Sequence, residues 1–174
     1  MRRIFLVLAL VLVLIPATAS AEFMSVLVGF QSVSFGADLG EYYDIPAGPG
    51  GAVLVSLDLG FPLDFRAGRR TAREGSSGGD VTYDWMEAGL RLPLGKEGSA
   101  ISSDWFFGVG SYDLEIGSSE FDTAPGGYLG IGVQEVVSDK YIGRFEVKGV
   151  YWKSDTFNTD APSLNLALYF GLQL

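Results

Sequence analysis

The most regular stretch of the chain is its C-terminal end. Leu164, Leu166, Leu168, Phe170, Leu172 and Leu174 hold one set of alternate positions, and Asn165, Ala167, Tyr169, Gly171 and Gln173 hold the other. Strict period two predicts an extended strand with two unlike faces. Just upstream, Tyr141, Phe145, Val147 and Tyr151 alternate with Arg144, Glu146 and Lys148. The same alternation sets Val53, Val55, Leu57, Leu59 and Phe61 against Ala52, Ser56, Asp58 and Gly60. It recurs with Leu129, Ile131 and Val133 against Gly130, Gly132 and Gln134, and with Met86, Ala88, Leu90 and Leu92 against Glu87, Gly89 and Arg91. Phe65 and Ala67 face away from Asp64, Arg66 and Arg70. Segments near 24–36 and 103–116 are aromatic and glycine-rich, but their parity shifts midway, which predicts a bulge or a displaced register in each. Eight strands result.

The connections predicted between them alternate in length, long at 37–50, 72–80, 115–126 and 153–162 and short at 60–62 and 137–140, with an intermediate turn at 93–102. A closed meander with all its long loops at one end has this asymmetry, and an even strand count returns both termini to the other end.

The first 21 residues are read apart from the fold. Met1-Arg2-Arg3 is a basic start, Ile4 to Ile15 is an apolar run, and Ala19-Ser20-Ala21 is a small-residue cleavage site. This is the layout of a secretory signal peptide. The 12-residue run would reach only ~18 Å as a helix, short of a ~30 Å hydrocarbon core. The expected organisation is a signal peptide at 1–21 and a β-barrel at 22–174. No later stretch is long and apolar enough for a spanning helix, so any membrane crossing falls to strands.

Composition narrows the function. The 174 residues include no histidine and no cysteine, which removes His-based triads, His/Cys zinc sites and disulfides. A formal charge of −9 argues against binding nucleic acid through its phosphates. Glycine is abundant at 24 residues while charged residues are only 19%, an unusual mix for a soluble enzyme. Alternation alone does not say which face meets lipid. The apolar faces stay apolar for five or more positions, enough for a ~25 Å lipid band. The opposite faces carry glycine, alanine, serine and charges, which suit the lumen of a barrel just wide enough for side chains to fill. The predicted fold is therefore all-β, an eight-stranded antiparallel up-and-down transmembrane barrel. A soluble periplasmic ligand-binding barrel would invert the two faces, and stands as the alternative.

A signal peptide, eight alternating segments of about ten residues and an apolar final strand resemble the small eight-stranded bacterial outer-membrane barrels, the OmpA/OmpX-like group. The chain also resembles the OmpW-like group. The resemblance implies a barrel in the outer membrane, contact with outer-membrane lipid and lipopolysaccharide, and handling by the barrel-assembly machinery. Members usually end in an aromatic residue, whereas Leu174 ends this chain and Phe170 is the nearest aromatic in phase. Enzymes of this architecture (lipid A deacylases, phospholipases, omptin proteases) depend on a histidine absent here, so no catalytic residue, cofactor or metal site is expected.

Three sets of residues carry candidate roles. Asp58, Asp64, Arg66, Arg70, Glu87, Arg91, Glu135, Arg144, Glu146 and Lys148 are expected to form a lumen charge network. Ions inside a narrow lumen must pair, so the expectation is a plug, with a gated conduit for small solutes as the alternative. Arg69 and Arg73 face outward and are candidate lipopolysaccharide contacts, because guanidinium forks match phosphate. Tyr42, Tyr43, Tyr83, Trp85, Trp105, Tyr112, Tyr141, Tyr151 and Trp152 are assigned to interfacial girdles. A conduit for apolar solutes would instead draw Phe106, Tyr112, Tyr83 and Trp85 into the lumen around a cavity. The long loops are acidic, with Asp38, Glu41, Asp44, Glu74, Asp80, Glu120, Asp122, Asp155 and Asp160, and read as solvated surface without metal-site spacing. The expected role is structural or surface-interacting, with an unknown extracellular partner.

Overall fold

The computed structural model describes residues 24–36, 47–59, 61–73, 79–94, 100–117, 120–138, 140–154 and 159–174. The expected signal peptide lies outside them, as do Asp38, Glu41, Tyr42, Tyr43, Asp44, Glu74 and Asp155. Eight strands follow in order: β1 Met24–Phe35, β2 Gly48–Asp58, β3 Pro62–Arg73, β4 Asp80–Leu94, β5 Ile101–Ile116, β6 Glu120–Ser138, β7 Tyr141–Ser154 and β8 Thr159–Gln173. Each pairs antiparallel with its sequence neighbours, and β8 returns to β1, closing the barrel. Backbone bonds between Met24 and Leu174 fasten the seam at the end where the described chain starts and stops.

Register fixes the shape. Followed once round the barrel, the row of partners from Trp152 returns to its own strand at Ile142, a shear of ten residues. With strands ~4.8 Å apart and ~3.3 Å per residue, that shear tilts them about 40° from the axis. Such a barrel leaves room for side chains and little else.

The outer end differs from expectation. β5 runs to Ile116 and β6 resumes at Glu120, so the loop expected at 115–126 is mostly strand. β7 runs to Ser154 and β8 resumes at Thr159, which removes most of the loop expected at 153–162. The reason is an inversion of polarity with height. Low on β5, Trp105, Phe107 and Val109 face outward and are exposed. High on β5, Tyr112, Leu114 and Ile116 face inward and are buried, and the outward positions are Ser111, Asp113 and Glu115. β1 behaves alike: Val28 and Phe30 face out, whereas Val33 and Phe35 face in and Ser32 and Ser34 face out.

The parity shift noted in both segments is thus a change of environment along an unbroken strand. Neither strand carries the expected bulge; among the described residues the register shifts between Val136 and Ser138 on β6. Around the lower wall the outward face is apolar, as in the register row Leu57–Leu63–Leu90–Phe107–Leu129. Leu164, Leu166, Leu168 and Phe170 on β8 are likewise exposed, while Asn165, Ala167 and Tyr169 are buried.

Candidate functional site: an ion-paired lumen beneath an aromatic layer

Arg66 stands at the centre of the lower lumen. Its Nη2 donates to Asp64 Oδ2 at 2.9 Å and to Glu146 Oε1 at 2.8 Å, and its Nε donates to Glu146 Oε2 at 3.1 Å. Nη1 reaches the Tyr128 hydroxyl at 3.3 Å, and the guanidinium lies 4.4 Å from the centre of the Phe106 ring. Arg144 forks onto Asp104 with two bonds of 2.7 Å and donates from Nε to Glu146 Oε1 at 2.6 Å. Glu146 therefore joins two arginines. Lys148 pairs with Glu87, whose other oxygen accepts the Tyr112 hydroxyl at 3.1 Å. At the lower edge Arg91 lies 3.8 Å from Asp64, and Ser56 donates to Asp64 Oδ1 at 2.7 Å.

Four carboxylates (Asp64, Glu87, Asp104, Glu146) thus face four cations (Arg66, Arg91, Arg144, Lys148). The match matters because an unpaired ion sealed from water costs several kcal/mol. Glycines on neighbouring strands make the space. A Cβ on Gly132 would come within 2.2 Å of Arg144 Nη2, and one on Gly89 or Gly108 would meet the Tyr128 hydroxyl at 2.3 Å or 2.6 Å. The abundance of glycine noted in the sequence serves in part as sockets for large inward side chains.

Above the ions lies an aromatic layer. Tyr83 stacks on Trp85 with centroids 5.4 Å apart, on Tyr112 at 6.3 Å and on Trp152 at 6.3 Å, and meets Phe35 edge-on at 5.1 Å. Val33, Val81, Leu114 and Ile116 complete this apolar region. Trp85 fits because Gly68 faces it, where a Cβ would lie 2.2 Å from the indole.

The charge set expected from sequence is therefore brought together in part. Asp64, Arg66, Glu87, Arg91, Arg144, Glu146 and Lys148 lie in the contacts just described. Arg70 is buried but higher, with its guanidinium 5.8 Å from the Phe35 ring. Asp58 is exposed at the foot of β2, beyond the sealed lumen. Glu135 is exposed on the outer face, in phase with Ile131 and Val133 rather than with Gly132 and Gln134. Asp104 was missed, although its phase with Gly108 and Gly110 marks it as inward. The girdle assignment also needs correction: Trp105, Tyr141 and Tyr151 face outward, but Tyr83, Trp85, Tyr112 and Trp152 are buried in the layer just described. Phe106, Tyr112, Tyr83 and Trp85 face inward as a conduit requires, yet they pack against one another and the ions rather than around an opening.

On the outer wall, Arg69 forks onto Asp84, with Nε to Oδ1 at 2.6 Å and a second, shorter bond from Nη2 to Oδ2. Its side chain keeps 49% exposure. Arg73 closes β3 opposite Asp80, and only its backbone is described. Among the described residues no group of three or more acidic side chains is arranged to hold a metal ion.

This architecture has counterparts among solved structures. Neisserial surface protein A matches over 87% of this chain and 97% of its own, with a TM-score of 0.69 and 13% identity. Ail, the attachment invasion locus protein of Yersinia pestis, matches over 88% and 99%, with a TM-score of 0.58 and 14% identity. The N-terminal β-barrel domain of Pseudomonas aeruginosa OprF matches over 87% and 99%, with a TM-score of 0.53 and 10% identity. The chain has the fold of the small outer-membrane barrels. No protein-family model matches the sequence, and neither does any curated protein.

Proposed function

We propose that the protein is a non-enzymatic outer-membrane barrel with a sealed lumen, acting through its surface and not as a pore. The observation that carries this reading is the filled interior. Arg66, Glu146 and Lys148 are at most 2% exposed, and Tyr83, Trp85, Tyr112 and Trp152 above them are at most 1% exposed. An open path would require both the ion cluster and the stacked rings to part. The apolar lower wall, graded into serine, threonine and charged positions above, is the surface expected of a barrel held in a membrane with its outer end in water.

On this reading the chain is exported with cleavage after Ala21 and inserted by the barrel-assembly machinery, then presents its outer hairpins to an extracellular partner. One solved structure of Ail is a complex with a heparin analogue, sucrose octasulfate. A sulfated partner does not suit the present chain, whose 21 acidic residues outnumber 12 basic ones and crowd the outer connections. Contact with lipopolysaccharide phosphate through Arg69 and Arg73 belongs to the same proposal, with Asp84 as a competing partner for Arg69. A charge reversal at Arg69 that left lipopolysaccharide retention unchanged would remove that contact.

Planar-bilayer recording of refolded protein tests the sealed lumen: silence across the voltage range is expected, and steady unitary currents would overturn it in favour of the conduit reading. Fractionation with heat-modifiable gel migration tests the location. Recovery in the soluble periplasmic fraction would restore the ligand-binding alternative.

A further inference from the structure

On the outer wall the register row Val53–Ala67–Met86–Ser111–Pro125 crosses five strands from β2 to β6. The outward row beneath it runs from Val55 to Gly127 and includes Ala88. Small residues at Ala67 and Ala88 lower the floor between the walls raised by Phe65, Met86 and Val109. The result is an oblique apolar depression of about 530 Å³. The next outward row below, from Leu57 to Leu129, is wholly bulky and apolar. The next row above is polar: Arg69, Asp84, Asp113 and Thr123 are register partners in turn. The depression therefore ends where the outer wall changes from apolar to charged.

We propose that this depression seats one acyl chain of a phospholipid whose headgroup carries both a phosphate and an ammonium group. The inference rests on the outer-membrane reading above. A concavity within the lipid-facing band is surrounded by acyl chains, and its lining gives water too few polar partners to stay. Its path suits one chain: four inter-strand steps of ~4.8 Å give about 19 Å. Because a row perpendicular to strands tilted about 40° climbs at that angle, the path rises about 12 Å along the axis, with the polar row running parallel to it one outward position above. A second barrel offers a convex wall that would bridge such a depression without filling it.

The polar row selects the headgroup. Arg69 is half exposed and offers a guanidinium edge suited to phosphate, the same edge that the lipopolysaccharide contact above would use, so the two lipids compete for it. Asp113 is opposite Asp84 in the register, and its Oδ1 is buried without a hydrogen-bond partner among the described residues. With two carboxylates against one guanidinium, this row favours a head that also brings a cation over a purely anionic one.

The test uses the full barrel, purified in detergent and exchanged with vesicles of equal phosphatidylethanolamine and phosphatidylglycerol, then stripped of bulk lipid and weighed by native mass spectrometry. One retained phosphatidylethanolamine per barrel is expected, in several-fold excess over phosphatidylglycerol. Ala88→Phe fills the floor and should cut retention several-fold, whereas Leu166→Phe on the opposite wall should leave it unchanged. Asp113→Asn should bring the two lipids towards equal retention. Equal retention of both lipids by the natural chain, indifference to Ala88→Phe, or a dimer in place of a lipid adduct would overturn the proposal.

A second measurement needs no variant. A phosphatidylethanolamine with a photoreactive group at its chain end should label the natural barrel around Val55 and Phe65, and labelling spread evenly onto Leu166 and Leu168 would overturn the site. Heat-modifiable migration and vesicle insertion of the natural chain separate the two claims. If they fail, the outer-membrane reading falls; if they hold while lipid is not retained, only the lipid site falls.

Discussion

The two halves of the lumen solve one packing problem by opposite chemistry. Below, charged side chains fill the barrel and satisfy each other through Glu146, Asp104 and Glu87; above, aromatic rings fill it, and the Tyr83 hydroxyl and the Trp85 and Trp152 indole N–H groups are buried without a hydrogen-bond partner among the described residues. The outer wall is reversed in step, apolar beside the ions and polar beside the rings. Where lipid covers the outside, hydrocarbon surroundings already satisfy the outward side chains, and the interior can hold a polar cluster that fixes register. Where water covers the outside, the barrel needs an apolar core like any soluble protein. The level at which the two halves meet marks the expected edge of the membrane more sharply than any single girdle residue.

The largest effect is expected from breaking the ionic half at its hub. Glu146→Leu leaves Arg66 and Arg144 without their shared carboxylate and should cost about 3–5 kcal/mol, read as a lower urea midpoint for unfolding. A cost below ~1 kcal/mol would mean that water reaches the cluster. In the aromatic half, Tyr83→Ala removes the ring that all its neighbours touch and should cost about 3 kcal/mol by cavity formation, read in the same titration. The hydroxyls sharpen the contrast. Tyr112 bridges the halves through Glu87, so Tyr112→Phe should cost about 1–3 kcal/mol. The Tyr83 hydroxyl is buried with no hydrogen-bond partner among the described residues, so Tyr83→Phe should be neutral or stabilising. The smallest effect belongs to Glu135→Gln, which lies on the outer face outside the network and should shift stability by no more than ~0.5 kcal/mol. A loss comparable to that of Glu146→Leu would return it to the network.

Most of the lower barrel was legible because an apolar outer face and ions inside give each strand two chemically unlike faces. β8 and β7 show this best, and Arg66, Arg144 and Glu146 followed from phase alone. The outer end was not legible by the same rule. Once the apolar face crosses from outside to inside, as between Phe107 and Tyr112 on β5, the pattern imitates a slipped register and then a loop. That is also why the buried aromatics were assigned to an outer girdle: alternation gives a side, but height decides whether that side is wet. Asp104 was lost with the phase of β5, and Glu135 through an error of one position. The partnership between Arg66 and Glu146, on strands far apart in sequence, depends on the shear, which no local pattern contains.

The backbone clasp between Met24 and Leu174 has a consequence for synthesis. The two ends of the described chain are also the two sides of the last seam, so the ring has no finished form until β8 reaches β1. Until then β1 and whichever strand was made last present raw edges, ready to pair with any neighbour. Closure across almost the whole polypeptide is slow by its topology, and loss of β8 would turn a circle into an open ribbon.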